Sequence, residues 1–477
     1  MSGSILSWVT RIHAFTDDVL ADHDAVAVAQ LIASGDVSPT EVLRAALARI
    51  DRVEPTLNGI AHDDRARAAV RAEEPLAPGA PFAGVPSLIK NNTDFKGMPT
   101  QQGSAAVPPT PAGSHEEFTE QFLSTGVNIV GASTLPAFGL TASTEFVDRE
   151  PTRNPWNPEY SAGASSGGSA TLVAAGAVPL AHGNDGGGSI RIPAAVCGLV
   201  GLKTTRNRIA PAKEMKDAPL DIVANGVLTR SVRDSAVFLA AAERYRPVPR
   251  LPRVGLVEGP SKRRLRVGLV TETLHGEQLD GDSQKELRRV AELVASLGHV
   301  VVEMPIPVDP SFEQHFVQYW RTLAFSLDYA GRYVVSRDFD RSKVDPFTHG
   351  LAKAFLRNFW RTPGALIALK RSARQYGEVF ADWDVILSPT LGHTTPKLGW
   401  LDPGVPFDEA FDRLRSFVAY TPLNNASGGP AISLPLGRTS QDLPLGLHFS
   451  ADHGDERTLL ELAFELEAAS PFARIQD

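Results

Sequence analysis

The chain has 477 residues, 43% hydrophobic and 21% charged, which suits roughly two to four ordinary domains or one unusually large one with a sizeable core. A formal net charge of −8 argues against a nucleic-acid or anionic-membrane surface. The single cysteine, Cys197, excludes an internal disulfide framework and a cysteine-rich zinc site; set in PAAVCGLVGL, it reads as a buried, inert thiol.

The first 75 residues read as helical. DAVAVAQLIASGDVSPTEVLRAALARIDRV carries apolar residues at helical spacing, broken at Gly35-Asp36, with Ser38 and Thr40 as N-caps and Pro39 and Glu41 in the next first turn. PFAGVPSLIKNNTD (81–94) predicts a short buried strand ending in a polar turn. FTEQFLSTGVNIVGAST predicts a helix, a turn at Gly126 and a strand. Residues 151–168 are crowded with Pro, Asn, Ser and Gly and read as loop. SATLVAAGAVPLA reads as a small-residue helix and then a strand, and IPAAVCGLVGL as a strand-like run after NDGGGS.

A Pro/Arg-rich stretch at 244–270 is the linker candidate, its Lys262, Arg263 and Arg264 a solvated cluster. RVGLVTE, DSQKELRRVAELVASLG and HVVVEM predict a strand–helix–strand unit, and residues 311–380 are largely helical. DVILSPT and GPAISLPL are further buried strands, and DERTLLELAFELEAA is a closing helix. Strands alternating with helices along the whole chain give an α/β class. The longest apolar stretch, ATLVAAGAVPLA, is too short to span a bilayer, and MSGSILSWVT lacks the layout of a signal peptide, so the expected location is cytoplasmic.

Three patterns compete for the chemistry. GASSG (163–167) fits the G-x-S-x-G of an esterase elbow, but NPWNPEYSAG before it is no strand. SLIK (87–90) fits S-x-x-K, yet on a strand Ser87 and Lys90 face opposite ways. The glycines of NDGGGSIRIP (184–193), followed by Arg191, could also form an anion-binding nest without catalysis, but the lysine of a phosphate loop is missing.

The third pattern is discontinuous: Lys90, then GASSGGSA, then NDGGGSIRIPA. GASSGGSATLVAAGAVPLAHGNDGGGSIRIPAAVCGLVGLKTTR resembles, over about forty residues without a gap, the glycine- and serine-rich signature of the amidase signature family, and AGVPSLIKNN, TRNPWNP, DVILSPT and GGPAISLPLG extend the likeness. The resemblance implies α/β/α layers around a large mixed β-sheet in a single large domain, 1–477. Within it lie an N-terminal helical region (1–75), the signature core (76–243), the connection (244–270) and a C-terminal part (271–477) completing the sheet and pocket. It implies a Ser-cisSer-Lys triad with Ser189 as nucleophile, Ser165 as the serine of the cis peptide and Lys90 as base. The backbone N–H groups of Gly186, Gly187, Gly188 and Ser189 become the oxyanion hole, and Ser166, Asp185 and Arg191 supports.

The implied activity is hydrolysis of a linear or cyclic carboxamide through a seryl acyl-enzyme, with no metal or cofactor. Its partner is a small-molecule amide rather than nucleic acid or membrane, and a homodimer is the candidate assembly. The wording around RIPA is similar to hydrolases of the 6-aminohexanoate cyclic dimer; the alternative within the family is the A subunit of a glutamine-dependent transfer-RNA amidotransferase. Asn91 stands where the family has an acidic residue, Asn184, Gly186 and Gly187 surround Asp185 where the family commonly reads T-D-T-G-G-S, and Ala132 and Thr134 stand where it often has lysine and asparagine.

The chemistry asks much of Lys90. A serine hydroxyl needs a base, and a lysine can serve only when neutral, so its pKa must fall from about 10.4 to near 7. Burial supplies such a shift, and Leu88 and Ile89 place Lys90 in an apolar run. A hydroxyl at Ser165 can donate and accept, so it can relay the proton; Ser165 and Ser166 could equally cap the helix that follows. Backbone donors at the glycines would meet the oxygen of a reacting carbonyl, worth ~10²–10³ in rate each. Asp185 and Arg191 read first as holding the loop and second as substrate contacts.

Overall fold

The computed structural model describes residues 11–274, 276 and 278–477, so the reading of MSGSILSWVT lies outside the described residues. The first helix, Ala25–Ser34, ends on Gly35 in the left-handed region, and the next, Pro39–Leu57, starts with a capping box between Ser38 and Glu41. Ser38 alone is the cap; Thr40 lies inside the first turn.

Strands β1 (Ile60–Asp63), β2 (Pro86–Lys90) and β3 (Asn128–Ser133) form a small sheet with β3 in the middle, antiparallel to β1 and parallel to β2. Residues 151–168, expected as loop, contain a short hairpin, β4 (Arg153–Asn154) and β5 (Asn157–Ser161), in which the Asn154 side chain accepts from the Trp156 N–H and donates to Ser161 O. The hairpin stands apart from the main sheet.

That sheet has eight strands: β6 (Leu180–Asp185), β7 (Val200–Lys203), β8 (Ala224–Thr229), β9 (Arg266–Leu269), β10 (Val300–Glu303), β11 (Val385–Pro389), β12 (Ala431–Arg438) and β13 (Pro444–Ser450), in the order β10-β9-β11-β13-β12-β7-β8-β6. The β10/β9 and β9/β11 pairs are parallel and the rest antiparallel, so the sheet is mixed. Alternation along its strands builds two apolar layers. Leu180 and Val227 join one, with Leu239, Val290 and Leu462 from the helices Val232–Tyr245, Gly281–Ser296 and Glu456–Ala469. Ala181 and Leu228 join the other, with Leu172 and Val196 from the helices Gly167–Ala174 and Arg191–Cys197. The first layer also takes in Val28, Val42 and Phe122, so one core spans the chain. This is the α/β/α arrangement of a single large domain.

Two expectations need correction. IPAAVC is a helix, Arg191–Cys197, not a strand: Pro193 sits in its first turn, where a missing N–H costs no helical bond, and β7 follows only after Gly198 turns the chain. The 244–270 stretch is no free linker. Glu243 accepts from Val254 N–H and Gly255 N–H, the buried Arg208 donates to Glu243 and Pro252 O, and Val254 and Val257 lie in the core. Of its basic cluster, Arg263 pairs with Asp384 and Arg264 with Glu465 at the surface. Cys197 is buried, and burial pushes its thiol pKa well up, as an inert thiol requires. No helix among the described residues is long and apolar enough to cross a membrane.

Candidate active site

Lys90 ends β2, every residue of which is buried. Among the described residues only β3 pairs with β2 by a backbone ladder; toward β6 the contact runs through side chains. Ser87 Oγ donates to Leu180 O at 3.0 Å, and the Lys90 N–H donates to His182 Nδ1 at 3.1 Å. That bond makes Nδ1 an acceptor, so the proton sits on Nε2, facing Asn225 Oδ1 at 3.4 Å. Burial first, and then the nearby Lys90, push the His182 pKa down to about 3, keeping the ring neutral against Phe118.

The Lys90 side chain is fully buried. Its Nζ donates to Ser165 Oγ at 2.7 Å and Asn184 Oδ1 at 2.6 Å, with Asn184 O at 3.5 Å. Among the described residues no carboxylate touches it. Burial lowers its pKa to about 7, against a smaller upward pull from Glu214 and Asp185. Near neutral pH, then, a large share of the lysine is a free amine.

Ser165 follows a cis peptide bond from Ala164. Gly139, at φ 66°, lets the chain pass close: a Cβ there would stand 2.9 Å from Ser165 Oγ. Ser166 occupies the N-cap position of the helix Gly167–Ala174 without capping it; its Oγ donates instead to Asn184 O at 3.3 Å. The capping alternative for the two serines therefore does not hold.

The stretch NDGGGS leaves β6 and turns into the helix Arg191–Cys197. Asp185 fixes the turn. Its Oδ1 accepts from Gly188 N–H (2.7 Å) and Arg191 Nη2 (2.9 Å), and its Oδ2 from Ile190 N–H (3.2 Å) and Arg191 Nε (2.9 Å). Asn425 Nδ2 adds a bond to Oδ1 at 2.9 Å. Burial alone would raise the Asp185 carboxyl; Arg191 and Asn425 outweigh it and hold the group well below the usual carboxylate range. Arg191 is itself fully buried and donates further to Thr421 O, Asn424 Oδ1 and Asn425 Oδ1, with His448 Nε2 at 3.0 Å. Thr421 Oγ1 donates to Gly187 O at 2.6 Å. Both charges of the Asp185–Arg191 pair are thus satisfied within the interior, the condition under which such a pair is tolerated. Their bonds tie the turn from Asp185 to Arg191 to the helix Pro422–Ser427.

This grip changes the oxyanion expectation. The Gly188 N–H is already bonded to Asp185, and at φ 132° Gly188 brings its α-carbon so near Thr421 that a Cβ would meet Oγ1 at 2.4 Å. Gly188 therefore shapes the turn, while the N–H groups of Gly186, Gly187 and Ser189 have no acceptor among the described residues. Ser189 Oγ likewise makes no bond there, and Ser165 is bonded to Lys90 rather than to Ser189. The structure brings Lys90 and Ser165 into contact and sets Ser189 on the wall of a pocket with Ala164, Gly139 and Gly187.

The departures from the family pattern lie off the reacting atoms. Asn91 Nδ2 donates to Pro99 O and its Oδ1 accepts from Gln101 N–H, fixing the loop after β2. Ala132 packs in the core, and Thr134 Oγ1 bonds Thr152 Oγ1 beneath the helix Gly167–Ala174. Asn184 is the exception, since it touches Lys90. Sequence reasoning missed that contact, along with His182 and the Thr421–Asn425 cradle; the position of Asn184 on the strand leading into the glycine turn was the one available signal.

The family model for amidases matches residues 41–460. The chain belongs to the amidase family. It is 46% identical over 473 residues to the putative amidase AmiC of Mycobacterium leprae, covering 98% of this chain and 99% of that protein. It is 35% identical to the 6-aminohexanoate-cyclic-dimer hydrolase of Pseudomonas sp. (strain NK87), covering 94% and 95%. Among solved structures it resembles 6-aminohexanoate cyclic dimer hydrolase complexed with substrate, with TM-score 0.87, 30% identity and 96% and 99% of the two chains covered. A bacterial aryl acylamidase of the amidase signature family follows at TM-score 0.82 and 25% identity, covering 94% and 96%. The amidase is a hydrolase acting on amides.

Proposed function

We propose that the amidase cleaves a small-molecule carboxamide in the cytoplasm through a seryl acyl-enzyme, with Lys90, Ser165 and Ser189 as its catalytic residues. The observation that carries this reading is the buried Lys90 amine, 2.7 Å from Ser165 Oγ, free of carboxylate contact among the described residues and beside the turn that presents Ser189. Ser189 Oγ attacks the amide carbon while its proton passes to Ser165 Oγ and the Ser165 proton to Lys90. Negative charge on the carbonyl oxygen falls to the N–H groups of Gly186, Gly187 and Ser189. The C–N bond breaks as Lys90, through Ser165, returns the proton to the leaving nitrogen. Water then attacks the ester by the same route and restores Ser189. The Ser189–Ser165 bond forms only when Ser189 turns toward substrate, since such bonds are often open in unliganded enzymes.

The transfer-RNA amidotransferase subunit is not favoured: the likeness to one such subunit, from Thermotoga maritima, is 24% identical and speaks for the fold alone. The anion-nest reading finds support neither in the turn, one of whose N–H groups Asp185 occupies, nor in Arg191, which is buried beneath it. Labelling with a fluorophosphonate tests the proposal: modification of Ser189 with loss of amidase activity is expected, and full activity in Ser189→Ala would overturn it.

A further inference from the structure

The pocket over Ser189 is walled by residues outside the proton relay. The helix Phe312–Val334 crosses it, with the rings of Phe312, Phe316 and Trp320 stacked in sequence at 6.1 and 5.9 Å. A Cβ on Gly187 would stand 3.8 Å from the Phe316 ring and 4.0 Å from the Trp320 indole, so both rings reach the glycine turn itself. Leu140, Ile192, Leu274 and Leu414 continue the wall. The Trp320 Nε1–H donates to Leu140 O, which leaves the face of the indole, not its polar edge, for a ligand. The charged residues lining the pocket among those described, Glu313 and Arg415, are ion-paired with each other across two helices.

A group seated beside the Ser189 carbonyl site therefore leaves water for rings and aliphatic carbons. An apolar group gains from that exchange; a zwitterionic one loses hydration without a matched partner. We propose that the amidase selects neutral amides whose acyl side is a medium-length aliphatic or an aromatic group, and that Phe316 and Trp320 set this selectivity. The inference rests on the reading of Ser189 as nucleophile.

The test is kcat/KM of the purified full chain for acetamide, butyramide, hexanamide, benzamide and L-glutamine. Burial of each methylene predicts about a fourfold gain, hence roughly 200-fold from acetamide to hexanamide, with L-glutamine no better than acetamide. Trp320→Ala should flatten the series, hexanamide losing at least about tenfold more than acetamide, whose continued turnover reports an intact site. A flat series, a preference for L-glutamine, or equal losses for both amides in Trp320→Ala overturns the inference. Fluorophosphonates with short and long alkyl chains separate the two layers. Labelling of Ser189 without chain-length preference sinks the selectivity alone; no labelling together with no amide turnover sinks the reading beneath it.

Discussion

Lys90 and Asn184 meet in the interior, the lysine Nζ 2.6 Å from the asparagine side-chain oxygen and 3.5 Å from its backbone carbonyl. Two neutral oxygens of one residue thus orient the amine without charging it. An aspartate in the same place would do the opposite.

That contrast gives the first prediction. In Asn184→Asp a carboxylate beside Nζ favours the ammonium form, so the Lys90 pKa rises by roughly 1–3 units. The amine must be neutral to act, so the acidic limb of the kcat/KM profile moves up by that amount, and activity at pH 7 falls about fivefold for a one-unit rise and more for a larger one, partly returning near pH 9. A profile superposable on that of the unaltered enzyme would contradict the role given to Asn184.

Arg191 is expected to matter for the fold before it matters for rate. Arg191→Ala leaves the buried Asp185 carboxylate without its cation and orphans the acceptors on Thr421, Asn424 and Asn425. A loss of about 3–5 kcal/mol is expected from such a break. Arg191→Lys recovers little, because one ammonium cannot reproduce the guanidinium's fork. Urea unfolding of the variants checks this; native stability in Arg191→Ala would show that the network does not hold the loop.

Gly139 is placed by its neighbour. Gly139→Ala puts a methyl 2.9 Å from Ser165 Oγ and a side chain at φ 66°. The left-handed backbone costs about 1–2 kcal/mol. The displaced hydroxyl is expected to lower kcat by at least about tenfold, because the relay tolerates little misplacement, with KM moving less. Steady-state kinetics beside a melting curve separate the two effects.

Much of this site was legible because its signal is local and chemical. The proposed triad residues stand in short strings whose glycines and serines have few other uses, and helical spacing with caps at Ser38 and Gly35 marked the first helices. What stayed hidden depends on distance in space. Asn184 reads as a variant letter until β6 lies beside β2, and His182 until its ring accepts the Lys90 N–H. Asn424 and Asn425 meet Arg191 only because the helix Pro422–Ser427 packs on the turn, more than two hundred residues away in sequence. The helix at IPAAVC escaped because an apolar run of that length carries no period, and β8 and β13 went unread for the same reason.

The central claim is that a buried, neutral Lys90 activates Ser189 through Ser165. The rate of Ser189 acylation by a fluorophosphonate, followed from pH 5 to pH 9 in the unaltered enzyme and in Lys90→Ala, measures it most directly. With the Lys90 pKa near 7, the rate should climb about tenfold per pH unit at the acid end and level off above neutrality, and Lys90→Ala should lose both the rate and the climb. A rate flat across that range, or one that survives in Lys90→Ala, would contradict the account.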